Sequence, residues 1–504
     1  MRSTQLFALA VTAAALLVTT STRAAVKISS KPTHNMNCSA GVCTPTAKKA
    51  VLNVNDLAAM LGSGDVKISS GSLAQDIEID SAVIWASGQT LTLDAYHSIA
   101  FNSPLSVTGQ GGLTITTNGG GSGGDFRFND KGQAQFWDMN SSLIINGNSY
   151  ILVNTLGQLA ADVNRNATAR YALAANLDAS IDGTYDEAPI TKIFGGTFEG
   201  LGNSISNLTI VSRRHRRTQD SMVGLFAEIY GGSVRDLAMI STTVDGGDGY
   251  SNIVLLVGTL AGINEGSVAF VRADDSAVSA GLDARVGGLV GRNGGRIAYS
   301  SARGTVSGTR SNAIGGLAGE SQGPIETSSA EVSVSGTSVD WAGGLVGASS
   351  LTIDRSYATG SVTSDGFVGG LVGEAMTVSN SYATGAVTSK GSDYAGGLIG
   401  RYYGPVSTSY STGKVTLVSG EAAGGLIGFD SNVSAIANCY WDLDSSGIDD
   451  PAQGAGNVQN DPGIKGLTTA QFDDKLPKGF DRNIWREKAG VNNGYPYLID
   501  LPPG

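Results

Sequence analysis

The chain has 504 residues, of which 71 are glycine and 41% hydrophobic, and a formal charge of −11. That composition argues against a disordered chain and fits a folded, turn-dense β protein, while the acidic balance excludes general binding to nucleic acid or other polyanions. Past the first 24 residues no stretch approaches the roughly 20 apolar residues of a membrane helix.

In chain order, Met1 to Ala24 places Arg2 before an apolar run from Leu6 to Val18 and ends on the small-x-small site Thr22-Arg23-Ala24, which reads as a secretory signal peptide. The protein is therefore expected to be exported, to the extracellular space, the cell surface or the periplasm. Residues 25–53 read as an N-terminal extension in which Cys38 and Cys43 form a small local disulfide. In residues 54–155, an N-terminal cap and first β-helical section, Val54 to Leu61 is predicted as a short helix ended by Gly62. Alternating strands are predicted at 90–94, 98–101, 105–107 and 113–116. The glycine-rich run 119–125 reads as a flexible loop, since a single calcium-type nonapeptide cannot build a site. Residues 156–190 are a partly helical insertion, marked by Leu156, Leu159, Ala160 and Val163. Short strands between turn glycines from Phe194 to Ile210 open a second stack, and the basic cluster Arg213 to Arg217 that follows reads as a solvated loop. Contact of that loop with an acidic polysaccharide or lipid head groups is the alternative.

The second stack, residues 191–441, carries six copies of Gly-Gly-Leu-x-Gly whose leucines, Leu289, Leu317, Leu345, Leu371, Leu398 and Leu426, are spaced 28, 28, 26, 27 and 28 residues apart. Weaker copies precede them around Leu225 and Leu260. A fixed period of this size means one supersecondary unit stacked on copies of itself. The short Val, Ile, Thr, Tyr and Ser runs make each unit a coil of a parallel β-helix, with equivalent residues about 4.8 Å apart in columns. Ser300, Ser328, Ser356, Ser381, Ser409 and Cys439 form a column that is always small, as do Ala302, Ala330, Ala358, Ala383 and Ser411. Both are expected to face inward, with Cys439 a buried core thiol. The position between them changes from Ser301 and Ser329 to Tyr357, Tyr382 and Tyr410. Such a volume change is tolerated on a surface and not in a core, so the tyrosines are expected outside. By the same argument Arg285, Ala313, Trp341, Phe367, Tyr394 and Ala422 are an outward column.

Little in the chain suggests catalysis. His34, His97 and His215 are dispersed, and the Gly-His-Gly and Arg-x-Lys of galacturonase-like hydrolases are missing. Asp393 and Glu421 share a phase, but the rest of their column, Ala284, Asn312, Asp340 and Gly366, makes it a hydrated turn position. Asp442 to Gly447 begins like a calcium loop, yet its twelfth position is Gln453 and not a bidentate Glu, so it reads as an acidic turn. Residues 442–504 form a C-terminal cap with a helix predicted from Thr469 to Leu476 and a Trp485, Tyr495, Tyr497 cluster.

The Gly-Gly-Leu-x-Gly units, with Ser-Tyr-Ala-Thr-Gly at Ser356 and Ser381, resemble the GLUG repeat family of bacterial exported and surface proteins. Residues 438–442, 466–471 and 493–498 resemble that family's usual ending, and residues 136–147 resemble filamentous-haemagglutinin-like adhesins. The resemblance implies a right-handed parallel β-helix and a surface or adhesive role. The motifs of two-partner secretion domains are missing, since the chain has no Asn-Pro. The expected protein is thus an adhesin-like binder of glycans or a cell surface or matrix. It has no catalytic residues, cofactor, metal or nucleic-acid partner, and its candidate contact residues are Trp341, Phe367, Tyr394, Tyr357, Tyr382 and Tyr410. The alternatives are a β-helical polysaccharide lyase or hydrolase for the protein, and rings that merely steady the coils by stacking for the aromatic columns.

Overall fold

A computed structural model describes residues 24–212, 221–249, 254–391, 394–420, 422–431 and 435–503. The stretch before Ala24 that reads as a signal peptide, the basic cluster from Arg213 to Arg217, and both Asp393 and Glu421 lie outside the described residues.

The chain winds into a parallel β-solenoid of about 15 turns. Eight parallel strands, from Ser221–Val223 through Trp341–Gly343 and Phe367–Gly369 to Ala423–Gly424, form one wall in strict sequence order. Pairing begins earlier than the sequence suggests. Ala25–Ser29 pairs in parallel with both Lys49–Asn53 and Asp76–Ile79, so residues 25–53 belong to the stack and are not an extension of it. Between those strands Met36–Ser39 and Val42–Pro45 form an antiparallel hairpin, across which Cys38 and Cys43 are joined in a disulfide. The helix Val54–Leu61 ends at Gly62, and its Leu57 and Leu61 are buried. A second helix, Leu156–Arg165, is capped by the Thr155 side chain. The strands behind it, Arg170–Leu173 and Leu177–Asp178, rejoin the stack, and a short helical turn, Ala179–Asp182, follows them.

Two cores result, one extending from Val26 to Leu152 with Ala172, Ala174 and Leu201, the other from Val153 to Ile464. In the second, all six repeat leucines are fully buried. Their neighbouring glycines make the bend that places them there. A β-carbon on Gly319 would lie 2.5 Å from the Val286 amide nitrogen, and one on Gly315 2.2 Å from the Ala318 carbonyl oxygen. Both obstructions are backbone, so no rotamer change relieves them.

The small serine column is explained by hydrogen bonding as much as by volume. Each corner residue before it, Tyr299, Thr327, Arg355, Asn380, Thr408 and Asn438, takes a left-handed φ of 46–53°, a conformation that is costly for most side chains. The next residue is then a buried serine whose hydroxyl accepts the serine amide of the preceding coil. Ser300 N–H donates to Ser328 Oγ at 3.2 Å, Ser328 N–H to Ser356 Oγ at 3.2 Å, and Ser356 N–H to Ser381 Oγ at 3.1 Å. Each hydroxyl donates in turn to a carbonyl two residues back, as Ser356 does to Asp354 at 2.9 Å. No interior amide at the corner is left bare. Cys439 ends the column as a buried thiol, and burial pushes its pKa up to about 12.

Candidate functional site

The two aromatic columns have different fates. Tyr357, Tyr382 and Tyr410 do point away from the solenoid interior and stack on one another, with centroids 4.8 and 5.1 Å apart. They are nevertheless buried, which corrects the expectation that they are a contact surface. The C-terminal segment folds back over them: Phe472, Phe480, Trp485 and Leu498 complete a separate apolar cluster on the outside of the coils. Tyr410 donates its hydroxyl hydrogen to the Pro496 carbonyl at 2.5 Å and accepts from Asn492 at 2.8 Å. The helix that starts this cover, Thr469–Asp474, is set by a capping box between Thr468 and Gln471. Asp442, at the head of the calcium-like loop, is fully buried and already saturated. It accepts from the amides of Asp444 and Ser445 and from the hydroxyls of Thr469 and Tyr495. Its work is to tie the cover to the last coil.

Trp341, Phe367 and Tyr394 remain partly exposed. Phe367 and Tyr394 stack at 6.1 Å, so their faces are turned to each other and their edges outward. Across the Gly-Gly-Leu-x-Gly bend runs a second outward column, Arg292, Glu320, Ala348, Glu374, Arg401 and Phe429. The Arg401 guanidinium lies over the rings of Tyr403, Phe367 and Phe429, at 4.5, 5.2 and 5.6 Å, and 3.9 Å from the Glu374 carboxylate. Burial raises the Glu374 pKa, and Arg401, with Tyr403 and Trp341 nearby, opposes the rise. Beside this column stand Leu351, Met376 and Tyr403, which are 47%, 41% and 40% exposed. Four consecutive coils thus present one continuous aromatic and aliphatic face around an Arg–Glu pair. Sequence reasoning found only its first column, because Arg401, Phe429, Leu351 and Met376 vary too much from repeat to repeat to register as a pattern.

A second charged cluster lies where the two cores meet. Strand Gln133–Phe136 reaches the second section through Ala134 N–H to the Leu201 carbonyl and Phe136 N–H to the Ala174 carbonyl. Beside it Arg235 grips Asp125 with two donors at 3.0 and 3.1 Å, binds Asp236 at 2.6 Å and lies 4.3 Å from the centre of the Phe126 ring. Asp125, the last residue of the glycine-rich run, is therefore anchored. Glu199 is wholly buried against Asp236, and its pKa is driven well up, first by burial and then by the Asp236 charge, with Arg235 opposing. Burial likewise lifts Asp236 to about 6. Burial favours a retained proton on the pair, which the fold encloses.

His97 pairs with Asp76 at 3.0 Å, His34 lies on a backbone bridge to Val51, and His215 is outside the described residues. Among the described residues, no group of three or more His, Cys, Asp or Glu is placed to hold a metal ion. Nor is any described helix long and apolar enough to cross a membrane.

The GLUG motif is found at residues 284–307, which contain the first of the six clear copies. The chain is 36% identical over 283 residues to halomucin of Haloquadratum walsbyi, a match that covers 47% of this chain and 3% of halomucin. It spans only about 3% of the length of that curated relative. Among solved structures it is similar to an IgA1 protease, at 22% identity and a TM-score of 0.36 over 50% of this chain and 21% of that one. A Bacteroides ovatus structure provisionally named an immunoglobulin A1 protease is 15% identical, with a TM-score of 0.38 over 70% of this chain and 92% of that one. Superpositions this loose carry nothing about activity. The chain is a parallel β-helix that carries a GLUG motif and is similar, over about half its length, to a small part of halomucin.

Proposed function

We propose that this chain is an exported, surface-exposed β-helical binding protein, adhesin-like in role, that contacts a glycan or another component of a cell surface or matrix through the face centred on Arg401. The observation that carries this reading is the exposure of Leu351, Met376 and Tyr403 in one column, beside the half-exposed Trp341, Phe367, Tyr394 and Phe429. A concentrated apolar patch rimmed by polar groups marks a contact surface. The Arg401–Glu374 pair adds donors and acceptors suited to hydroxyl-rich partners, and ring edges with aliphatic side chains supply the apolar contact. The leader-like N-terminus and the resemblance of residues 136–147 to filamentous-haemagglutinin-like adhesins support export and adhesion.

The test replaces Leu351, Met376 and Tyr403 together by Ser and measures binding to glycan arrays and to matrix-coated surfaces. Because these side chains are exposed, the melting temperature should hold while binding is lost. Full binding by the folded variant would remove this face from consideration.

A further inference from the structure

The tyrosine column that the C-terminal segment covers does not run the length of the stack. In the parallel register Tyr357 is preceded by Ser329 and Ser301. Where the two rings are missing, the surface sinks into a trough of about 190 Å³. Ser301 and Ser329 line its floor, and Leu501 and Pro502, from the end of the cover, form its outer lip. Rings stand on both sides. Downstream, Tyr357 begins the ladder, stacked on Tyr382 at 4.8 Å and within 14° of parallel. Upstream, at the corner before Ser301, Tyr299 is stacked on Phe270 at 4.8 Å and within 8°. The Arg127 guanidinium, from the N-terminal section, lies 5.5 and 5.7 Å from those two ring centres and steadies them. Tyr299 and Tyr357 belong to coils two apart, roughly 9.6 Å at the usual strand spacing. The coil between them brings only Ser329 to this column, so the thickness of one ring is left open. Beyond the serines Arg303 and Glu331, paired at 3.0 Å, line the trough with side chains 51% and 60% exposed.

We propose that this trough is a second binding site, which takes one neutral sugar ring of a glycan into the gap in the tyrosine column. Its volume is below the roughly 300–1,000 Å³ of pockets for drug-sized ligands and suits a single six-membered ring. A pyranose offers both kinds of contact that the walls require. Its C–H face packs against the tyrosine rings, and its hydroxyls give and take hydrogen bonds at Ser301, Ser329, Arg303 and Glu331. An aromatic side chain of a protein partner would fill the same gap, but it would cover two hydroxyls and an ion pair without pairing any of them, which is costly.

The Arg303–Glu331 pair carries no net charge, and Glu331 repels a carboxylate that Arg303 attracts, so the site prefers neutral sugars to acidic ones. It shares no residue with the face centred on Arg401 and does not rest on that face being a contact surface.

The experiment is saturation-transfer NMR on the full chain, with the methyl glycosides of glucose, galactose and mannose as probes and methyl glucuronide and N-acetyltyrosinamide beside them. At least one neutral glycoside should receive saturation at its ring C–H groups, and the glucuronide should receive less. Ser329→Tyr extends the ladder with a residue that the column already accommodates at Tyr357, Tyr382 and Tyr410. It should keep the melting temperature and weaken binding by about tenfold or more, as should Arg303→Ala, which removes an exposed partner of the hydroxyls and gives a second reading if the first variant fails to fold. The Leu351, Met376 and Tyr403 triple Ser variant should bind the glycosides as the wild type does, which separates this site from the Arg401 face. No transfer to any neutral glycoside, unchanged binding in a folded Ser329→Tyr or Arg303→Ala variant, loss of transfer in the triple variant, or stronger transfer to N-acetyltyrosinamide than to every sugar would each overturn the proposal.

Discussion

Replacing Glu199 by Gln should stabilise the protein at neutral pH and leave it unchanged in acid. Glu199 faces Asp236 and Arg235, with Asp125 on the far side of the guanidinium and Tyr150 near enough for the Glu199 charge to raise its pKa. The folded pair keeps a proton that the unfolded chain releases above the ordinary glutamate value of 4.5. The folded state therefore binds more protons than the unfolded one, and stability falls as pH rises through that window. Keeping Glu199 neutral above the ordinary glutamate range lowers stability relative to acid. A glutamine keeps the shape and has no proton to retain. Urea unfolding followed by circular dichroism at pH 5, 6, 7 and 8 measures the difference, and contributions from groups that do not sense Glu199 cancel between wild type and variant. The gap should widen as pH rises above the ordinary glutamate value, by at most about 1.4 kcal/mol per pH unit. A gap that is constant with pH would show that Glu199 carries no retained proton.

Trp485→Ala should release the C-terminal cover, since a fully buried Trp to Ala change costs about 3–5 kcal/mol and this ring contacts Tyr382, Tyr410 and Phe480; new protease cuts within residues 443–503, with the coils intact, would report it. Gly319→Ala should destabilise by about 1–3 kcal/mol or more because its methyl meets backbone. Gly157→Ala, in a helix where a β-carbon meets nothing within 4 Å, should instead raise the melting temperature through a gain of about 0.5–1 kcal/mol. Ser356→Ala should cost about 1–3 kcal/mol, the penalty for leaving the buried Ser328 amide without its acceptor, as denaturant titration would show.

What repeats in this chain is what its sequence made legible. The leucine, serine and alanine columns face inward as their constant size required, and the strand runs at 90–94 and 113–116 pair as expected. The outward position of the tyrosine column could be read from Ser301 and Ser329, but its covering could not. Phe472, Phe480, Trp485 and Leu498 follow no period, and nothing local tells which surface they will seek. Residues 25–53 were missed for the opposite reason: their strands, Ala25–Ser29 and Lys49–Asn53 among them, join the stack without any repeat that marks them. The contact between Asp125 and Arg235 spans 110 residues and that between Tyr410 and Asn492 spans 82. Such pairings arise from the path of the fold, and composition or spacing cannot announce them.

The serine column also gives the solenoid a direction. Each hydroxyl serves the amide of the coil before it, never the one after, so every corner depends on its successor and not on its predecessor. Loss of one hydroxyl should therefore injure the coil upstream: with Ser356 changed to Ala, hydrogen exchange would quicken at the Ser328 amide while Ser356 N–H kept its bond to Ser381. Damage along this rod would spread toward the N-terminus, as it does through roof tiles that each hold down the one beneath. At the C-terminal end the column exchanges serine for Cys439, whose amide is held by the Gly463 carbonyl of the next strand and not by a hydroxyl, and beyond it the chain turns back to cover itself.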